Sequence, residues 1–165
     1  MHRTDIFDQS LYKMEIPKVQ IIQIDSAITA VGKSFLGDYA DSPRYATEVQ
    51  KLLSNASIPF IPNKVLGVYY DNPESTPLAH LRSFQGFFLT EESRFIDPSL
   101  SRLSIQGNYL HTRVSGDPDK IVFEGYNAIF WHIQENGIAL KSSAGYQISS
   151  FENNIVTIDI YMEIL

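Results

Sequence analysis

The sequence predicts an α+β fold in which a strand–helix–strand–strand unit is used twice. The product is an antiparallel sheet with two helices, one packed on each half. Three observations predict it. A capping residue followed by proline occurs at Ser42-Pro43 and again at Asp117-Pro118, each opening a stretch of helical apolar spacing. Each such stretch has one strand-like segment before it and two after it. The last segment, residues 155–164, alternates strictly, with Val156, Ile158, Ile160, Met162 and Ile164 against Thr157, Asp159, Tyr161 and Glu163.

The elements follow in order. Residues 1–17 are mixed in polarity and form a lead-in; a single domain covers 18–165, with repeat halves near 18–90 and 101–165. Residues 19–24 alternate, and the apolar pattern runs on through Ile28, Ala30 and Phe35, as one long strand or a bent pair. Gly37-Asp38-Tyr39 ends it. Tyr45, Val49, Leu52 and Leu53 fall on one face of the first helix. Residues 55–63 carry two prolines and form a loop. Residues 65–70 and 81–89 are strands, broken by Asp71-Asn72-Pro73, and residues 90–98 are a connector. In the second half, residues 103–114 are a strand ending at Gly116. Residues 121–133 are a helix closed by Asn136-Gly137. Residues 146–150 are a strand, Glu152-Asn153-Asn154 is a turn, and residues 155–164 close the sheet.

Composition removes several function classes. The chain of 165 residues is 44% hydrophobic and 19% charged, as a globular domain is. Thirteen basic residues against nineteen acidic ones give a net charge of −6, which argues against nucleic acid as a partner. There is no cysteine, so disulfides, thiolate nucleophiles and iron–sulfur clusters are out. The apolar runs are too short to span a membrane. The first fourteen residues lack the apolar core of a signal peptide, so a cytoplasmic protein is expected, with a trimmed leader left open. No dinucleotide fingerprint, phosphate loop or nucleophile elbow occurs. His2, His80, His111 and His132 show no zinc-binding spacing. Asn55-Ala56-Ser57 fits a glycosylation sequon, which matters only in a secretory setting.

One stretch is distinctive: Val65-Leu66-Gly67-Val68-Tyr69-Tyr70-Asp71-Asn72-Pro73-Glu74-Ser75-Thr76-Pro77, followed by Leu81-Arg82. It resembles the GyrI-like small-molecule-binding family, which is related to the SOUL haem-binding fold. The same domain is the effector-binding part of AraC-type and MerR-type multidrug regulators. Residues 126–129, 133–137 and 158–161 resemble the family's second helix and closing strand more loosely. The resemblance spans residues 18–165. It implies two strand–helix–strand–strand units with a ligand cleft along their pseudo-twofold, and it agrees with the repeat.

The resemblance implies binding of a small lipophilic or aromatic molecule, here without a DNA-reading module. One departure stands out. Where family members carry Tyr-Glu-Ile-Tyr, this chain reads Tyr146-Gln147-Ile148-Ser149. A glutamine neither neutralises a buried cation nor accepts a proton at neutral pH. It points to a neutral or anionic ligand and away from hydrolysis by the family's route. Strand alternation places Leu66, Val68 and Tyr70 on one face, and Tyr69 with Gly67 and Asp71 on the other. Tyr69, Gln147, Ser149, Asp159 and Tyr161 are expected on the face away from the helices. The expected lining is therefore Tyr39, Tyr69, Tyr126, Trp131, Gln147, Asp159 and Tyr161, with Gln147 and Asp159 orienting the ligand. The second helix has more apolar surface than one sheet contact needs. Trp131 therefore packs on a cleft, on a protein partner or under the N-terminal segment. No metal or cofactor is expected. Two alternatives stay open: a hydrolase of strained or electrophilic small molecules with Asp159 as base, and a protein-interaction adaptor.

Overall fold

The computed structural model describes residues 17–92 and 97–165; most of the lead-in and the middle of the expected 90–98 connector lie outside them. Six strands and two helices follow one another as expected. β1 (Val19–Leu36), α1 (Ser42–Asn55), β2 (Lys64–Tyr69) and β3 (Arg82–Phe88) form the first half. β4 (Ser101–Ser115), α2 (Pro118–Asn136), β5 (Gly145–Glu152) and β6 (Ile155–Glu163) form the second. The strands close into an antiparallel barrel in the order β1-β3-β2-β5-β6-β4. That order reads the same from either end when each strand is exchanged for its counterpart in the other half. The pseudo-twofold therefore passes between β2 and β5.

β1 resolves the alternative of one strand or two. It is a single strand of 18 residues, and its register against β4 shifts between Ile24 and Ile28. A bulge of this kind bends a strand without ending it. β1 can thus pair with β4 along its length and turn across β3 from Ala30 to Leu36. The β5–β6 hairpin turns on Asn153 and Asn154, both at positive φ (51° and 63°), the geometry that matches strand twist.

The helix ends follow local chemistry. Asp117 caps α2 by accepting from the Asp119 N–H, Pro118 takes the first turn, and Gly137 closes it at φ 60°, ψ 38°. α1 differs from expectation. A single 3₁₀ turn, Tyr39–Asp41, precedes it, capped by Asp38. The helix therefore starts at Ser42, whose hydroxyl donates to the Tyr39 carbonyl instead of capping.

Three apolar clusters hold the fold. Val31, Val49, Leu53, Ile58 and Phe87 pack α1 on the barrel's outer wall. Leu110, Ile121, Ile129, Ile158, Ile160 and Met162 do the same under α2. Ala30, Leu66, Val68, Phe84, Ile105, Tyr109 and Ala144 fill the barrel itself. Inside, Gly32 of β1 faces Gly86 of β3, and a Cβ on Gly32 would run into the Gln85 carbonyl. Backbone cannot move aside as a side chain can. Gly32→Ala should lower stability by about 1–3 kcal/mol, or roughly 2–12 °C in Tm for a chain of this size. An unchanged melting temperature would contradict the close approach of β1 and β3.

Candidate functional site

Antiparallel pairing puts directly opposed residues on one face, so the register alone sorts the side chains. On the inner face, Val68 opposes Tyr146, Tyr146 opposes Tyr161, Tyr161 opposes His111, and His111 opposes Gln20. The next row is Leu66, Ile148, Asp159 and Arg113. On the other side of the tyrosine row, Glu163 opposes Tyr109, and continuing the register adds Ala144 and Tyr70. The barrel interior therefore carries Tyr70, Tyr109, Tyr146 and Tyr161, with Glu163 in the row of Tyr109. Tyr109 stands edge-on to Tyr146 (centroids 5.8 Å) and to Tyr161 (6.2 Å).

The interior is not sealed. Tyr70, Tyr146, Ile148 and Tyr161 pack against the inner cluster yet remain only partly buried. At the Tyr70 rim lies an open pocket of about 570 Å³, lined by Ser34, Phe35, Leu36, Tyr70, Arg82 and Ser83. Eight strands are what it takes to hold one small ligand within a barrel. Six strands make a narrower interior than that.

Three ion pairs are built on or beside the inner face. Asp159 Oδ1 accepts from Arg113 Nε at 2.8 Å and lies 2.7 Å from His111 Nε2. Burial works to raise the Asp159 carboxyl, but the hydrogen bonds from His111 and Arg113 outweigh it and hold it below its ordinary value. Gln20 Nε2 lies 3.2 Å from the other ring nitrogen of His111. At the rim, Asp71 receives Arg82 Nη2 at 2.8 Å, Nε at 3.0 Å and the Arg82 backbone N–H at 2.8 Å. Those bonds lower the Asp71 carboxyl. Among the described residues Glu163 pairs only with Lys141 Nζ, at 3.3 Å. Burial, with Glu163 and Tyr146 close by, pushes the Tyr109 phenol up to about 12.

The outer face carries a second cluster. Gly67 opposes both Gln85 and Gln147, and Gln147 opposes Ile160. Gln147 therefore points to the helix side, not into the barrel with Asp159 and Tyr161. Its Nε2 donates to the Tyr126 hydroxyl at 2.8 Å. The Tyr126 phenol is pushed up to about 12 by burial, against that bond. Tyr69 donates to Ser42 Oγ at 3.2 Å and meets Tyr39 edge-on at 4.8 Å. The Tyr39 hydroxyl donates to the Arg82 carbonyl at 2.8 Å and accepts from the Asp71 N–H at 3.0 Å. These side chains meet on the helix side of the β2–β5 seam, through which the pseudo-twofold passes, and Tyr39, Tyr69, Tyr126 and Gln147 are all only partly buried there. A Cβ on Gly67 would sit 2.7 Å from the Tyr69 hydroxyl, and one on Gly145 would collide with that of Tyr126.

The expected lining thus divides in two. Tyr39, Tyr69, Tyr126 and Gln147 meet under the helices; Asp159 and Tyr161 face the barrel interior. The expectation that Tyr69, Gln147 and Asp159 share a face is corrected, because the pairing of Gln147 with Ile160 turns β5 the other way. Trp131 joins neither group. It is 63% exposed on α2, beside exposed Phe130 and Phe123. Tyr70, Tyr109, Tyr146, His111, Arg113 and Glu163 were missed. The alternation of β6 already placed Asp159, Tyr161 and Glu163 together. Extending that row to β4 and β5 would have found the rest, but it needs the register.

Solved structures share this architecture. The C-terminal domain of EcmrR superposes with a TM-score of 0.70 at 10% identity, covering 90% of this chain and 98% of that one. The shared fold is consistent with the GyrI-like fold that residues 65–82 resemble. SAV2435 bound to tetraphenylphosphonium matches with a TM-score of 0.56 at 12% identity, over 90% of this chain and 94% of that one. A hydrolase from Listeria innocua matches with 0.56 at 9%, over 96% and 98%. No family model matches the sequence, and no curated protein aligns with it. Among the described residues no helix is long and apolar enough to cross a membrane, and no group of three His, Cys, Asp or Glu could hold a metal ion.

Asp159 gives the site a measurable pH dependence. A carboxyl depressed in the folded state leaves the unfolded chain to take up its proton first as pH falls. The stability it contributes is complete above about pH 4 and is lost as pH drops through the lower folded value. Asp159→Asn should remove that part of the acid sensitivity and cost about 1–3 kcal/mol at neutral pH. Urea titrations from pH 7 downward check both; an acid limb unaltered by the substitution would contradict the network.

Proposed function

We propose that this chain binds a small lipophilic, aromatic molecule in the mouth of its barrel. The observation that carries the reading is the inner face. Four tyrosines surround an opening, three of them only partly buried, with carboxylates among them. Aromatic rings with few polar groups suit an apolar ligand that must also be oriented. A ring of tyrosines beside a carboxylate also suits a positive charge. The neighbour holding tetraphenylphosphonium, a lipophilic cation, supports a cation among the ligands. Gln147 does not set the ligand's charge in this reading, since it is spent on Tyr126 outside the barrel.

Binding is favoured over hydrolysis. In the interior His111 spends one ring nitrogen on Asp159 and the other on Gln20, and Asp159 also carries Arg113. A general base needs a lone pair within reach of the substrate's proton or of a water. The exposed Phe123, Phe130 and Trp131 favour a second reading, in which α2 docks on a protein partner.

A melting experiment separates these readings. Tetraphenylphosphonium at about 100 times its dissociation constant should raise Tm by roughly 5–11 °C. Tyr146→Ala and Tyr161→Ala should each remove most of that shift, measured against their own unliganded Tm, and Trp131→Ala should keep it. A shift that survives both tyrosine substitutions would overturn the barrel-mouth reading. No shift with cationic, neutral or anionic aromatic compounds would move the function to the α2 surface.

A further inference from the structure

Three carboxylates of the inner face and its rim, Asp159, Asp71 and Glu163, differ in how firmly each is held. Asp159 has two partners, His111 and Arg113, and is 7% exposed. Asp71 is gripped by the Arg82 fork and by the Arg82 backbone N–H. Glu163 is different. Its carboxylate sits over Gly107, where a Cβ would lie 3.3 Å from Oε1, and it stands in the row of Tyr109 and Ala144, next to that of Tyr146. A single lysine reaches it, at 3.3 Å, from a side chain 59% exposed. Lys141 is nevertheless placed deliberately by the backbone. Its N–H donates to the Glu163 carbonyl at 2.9 Å, and the neighbouring Leu140 bridges to Ile164. The ammonium is therefore tethered next to the carboxylate, while its own contact is loose.

From this geometry we infer that Lys141 is a built-in competitor for the cationic end of a ligand, and that the Lys141–Glu163 pair sets the charge selectivity of the mouth. The inference rests on the binding reading above. A lipophilic cation lodged against the partly buried Tyr146 and Tyr161 displaces the ammonium from Glu163, and Lys141 turns to water. The exchange is cheap because an exposed ion pair contributes little and a lysine regains its rotamers. A neutral ligand gains nothing from the exchange. With Lys141 in place the mouth is near neutral and accepts both classes; without it, Glu163 favours cations. Neither Arg82 nor Arg113 can play this part, since each is fixed by more than one bond or faces a carboxylate that is otherwise occupied.

Calorimetric titration of the full chain with tetraphenylphosphonium, and with neutral triphenylphosphine oxide, tests the inference. Lys141→Gln should tighten the phosphonium by about two- to fivefold and leave the neutral compound unchanged. Glu163→Gln should weaken the phosphonium alone. In the Glu163→Gln background, Lys141→Gln should have no further effect, as a double-mutant cycle requires of a direct pair. Equal changes for both compounds, or no change for the phosphonium in Lys141→Gln, would overturn the competitor role while leaving the binding reading intact. Failure of both compounds to bind any variant would overturn the binding reading and this inference with it.

Discussion

The site depends on the register of β6 between β5 and β4. Both faces of this strand are committed: Ile158, Ile160 and Met162 pack under α2, and Asp159, Tyr161 and Glu163 face the barrel. A slip of one residue would drive a carboxylate row under the helix and the apolar row into the mouth. Burial on the α2 side therefore positions the polar side without any contact to it. β5 is fixed by the same constraint. Once Gln147 is opposite Ile160, Tyr146 must be opposite Tyr161, and the tyrosine row of the interior is complete.

Closure of the barrel by β1 and β4 gives that row its surroundings. The long, bulged β1 brings Gln20 across to His111, so the His111–Asp159–Arg113 network is held from both sides. The pseudo-twofold has a different use. Where a cleft between the helix ends would be expected, Tyr69 and Tyr126 lie over glycines and are tied by hydroxyl and amide bonds. Each of those bonds lies within its own half, and the halves are joined by the pairing of β2 with β5. On the helix side Gln147 is matched to Tyr126 and Tyr69 to Ser42, while Ser83 Oγ has no hydrogen-bond partner among the described residues; on the inner face Glu163 has the exposed Lys141 as its ion-pair partner.

Much of the fold was legible because its signals are local. Pro43 and Pro118 marked both helices, Gly137 ended the second, and Asn153-Asn154 marked the last hairpin. The start of α1 at Ser42-Pro43 was legible but its cap was not, since Ser42 looks like a capping residue and instead turns its hydroxyl back to Tyr39. The site was legible only in part. β6 sorts itself, because one of its faces is wholly apolar. β2 and β5 do not: Tyr69 and Tyr70 are adjacent and alike, as are Tyr146 and Gln147 in polarity, so alternation cannot say which points inward. Trp131 looked like a ligand anchor because tryptophan is rarely left in water, yet it stands 63% exposed.

The most direct measurement is the response of the tyrosine rings to ligand. With ring-labelled tyrosine, titration with tetraphenylphosphonium should shift the resonances of Tyr109, Tyr146 and Tyr161 together, because an aromatic cation among them changes their ring-current field. Tyr126 and the Trp131 indole should stay in place. Shifts confined to Tyr39, Tyr69 and Tyr126, with the interior rings unmoved, would contradict the barrel mouth as the binding site and assign the ligand to the space between the helices.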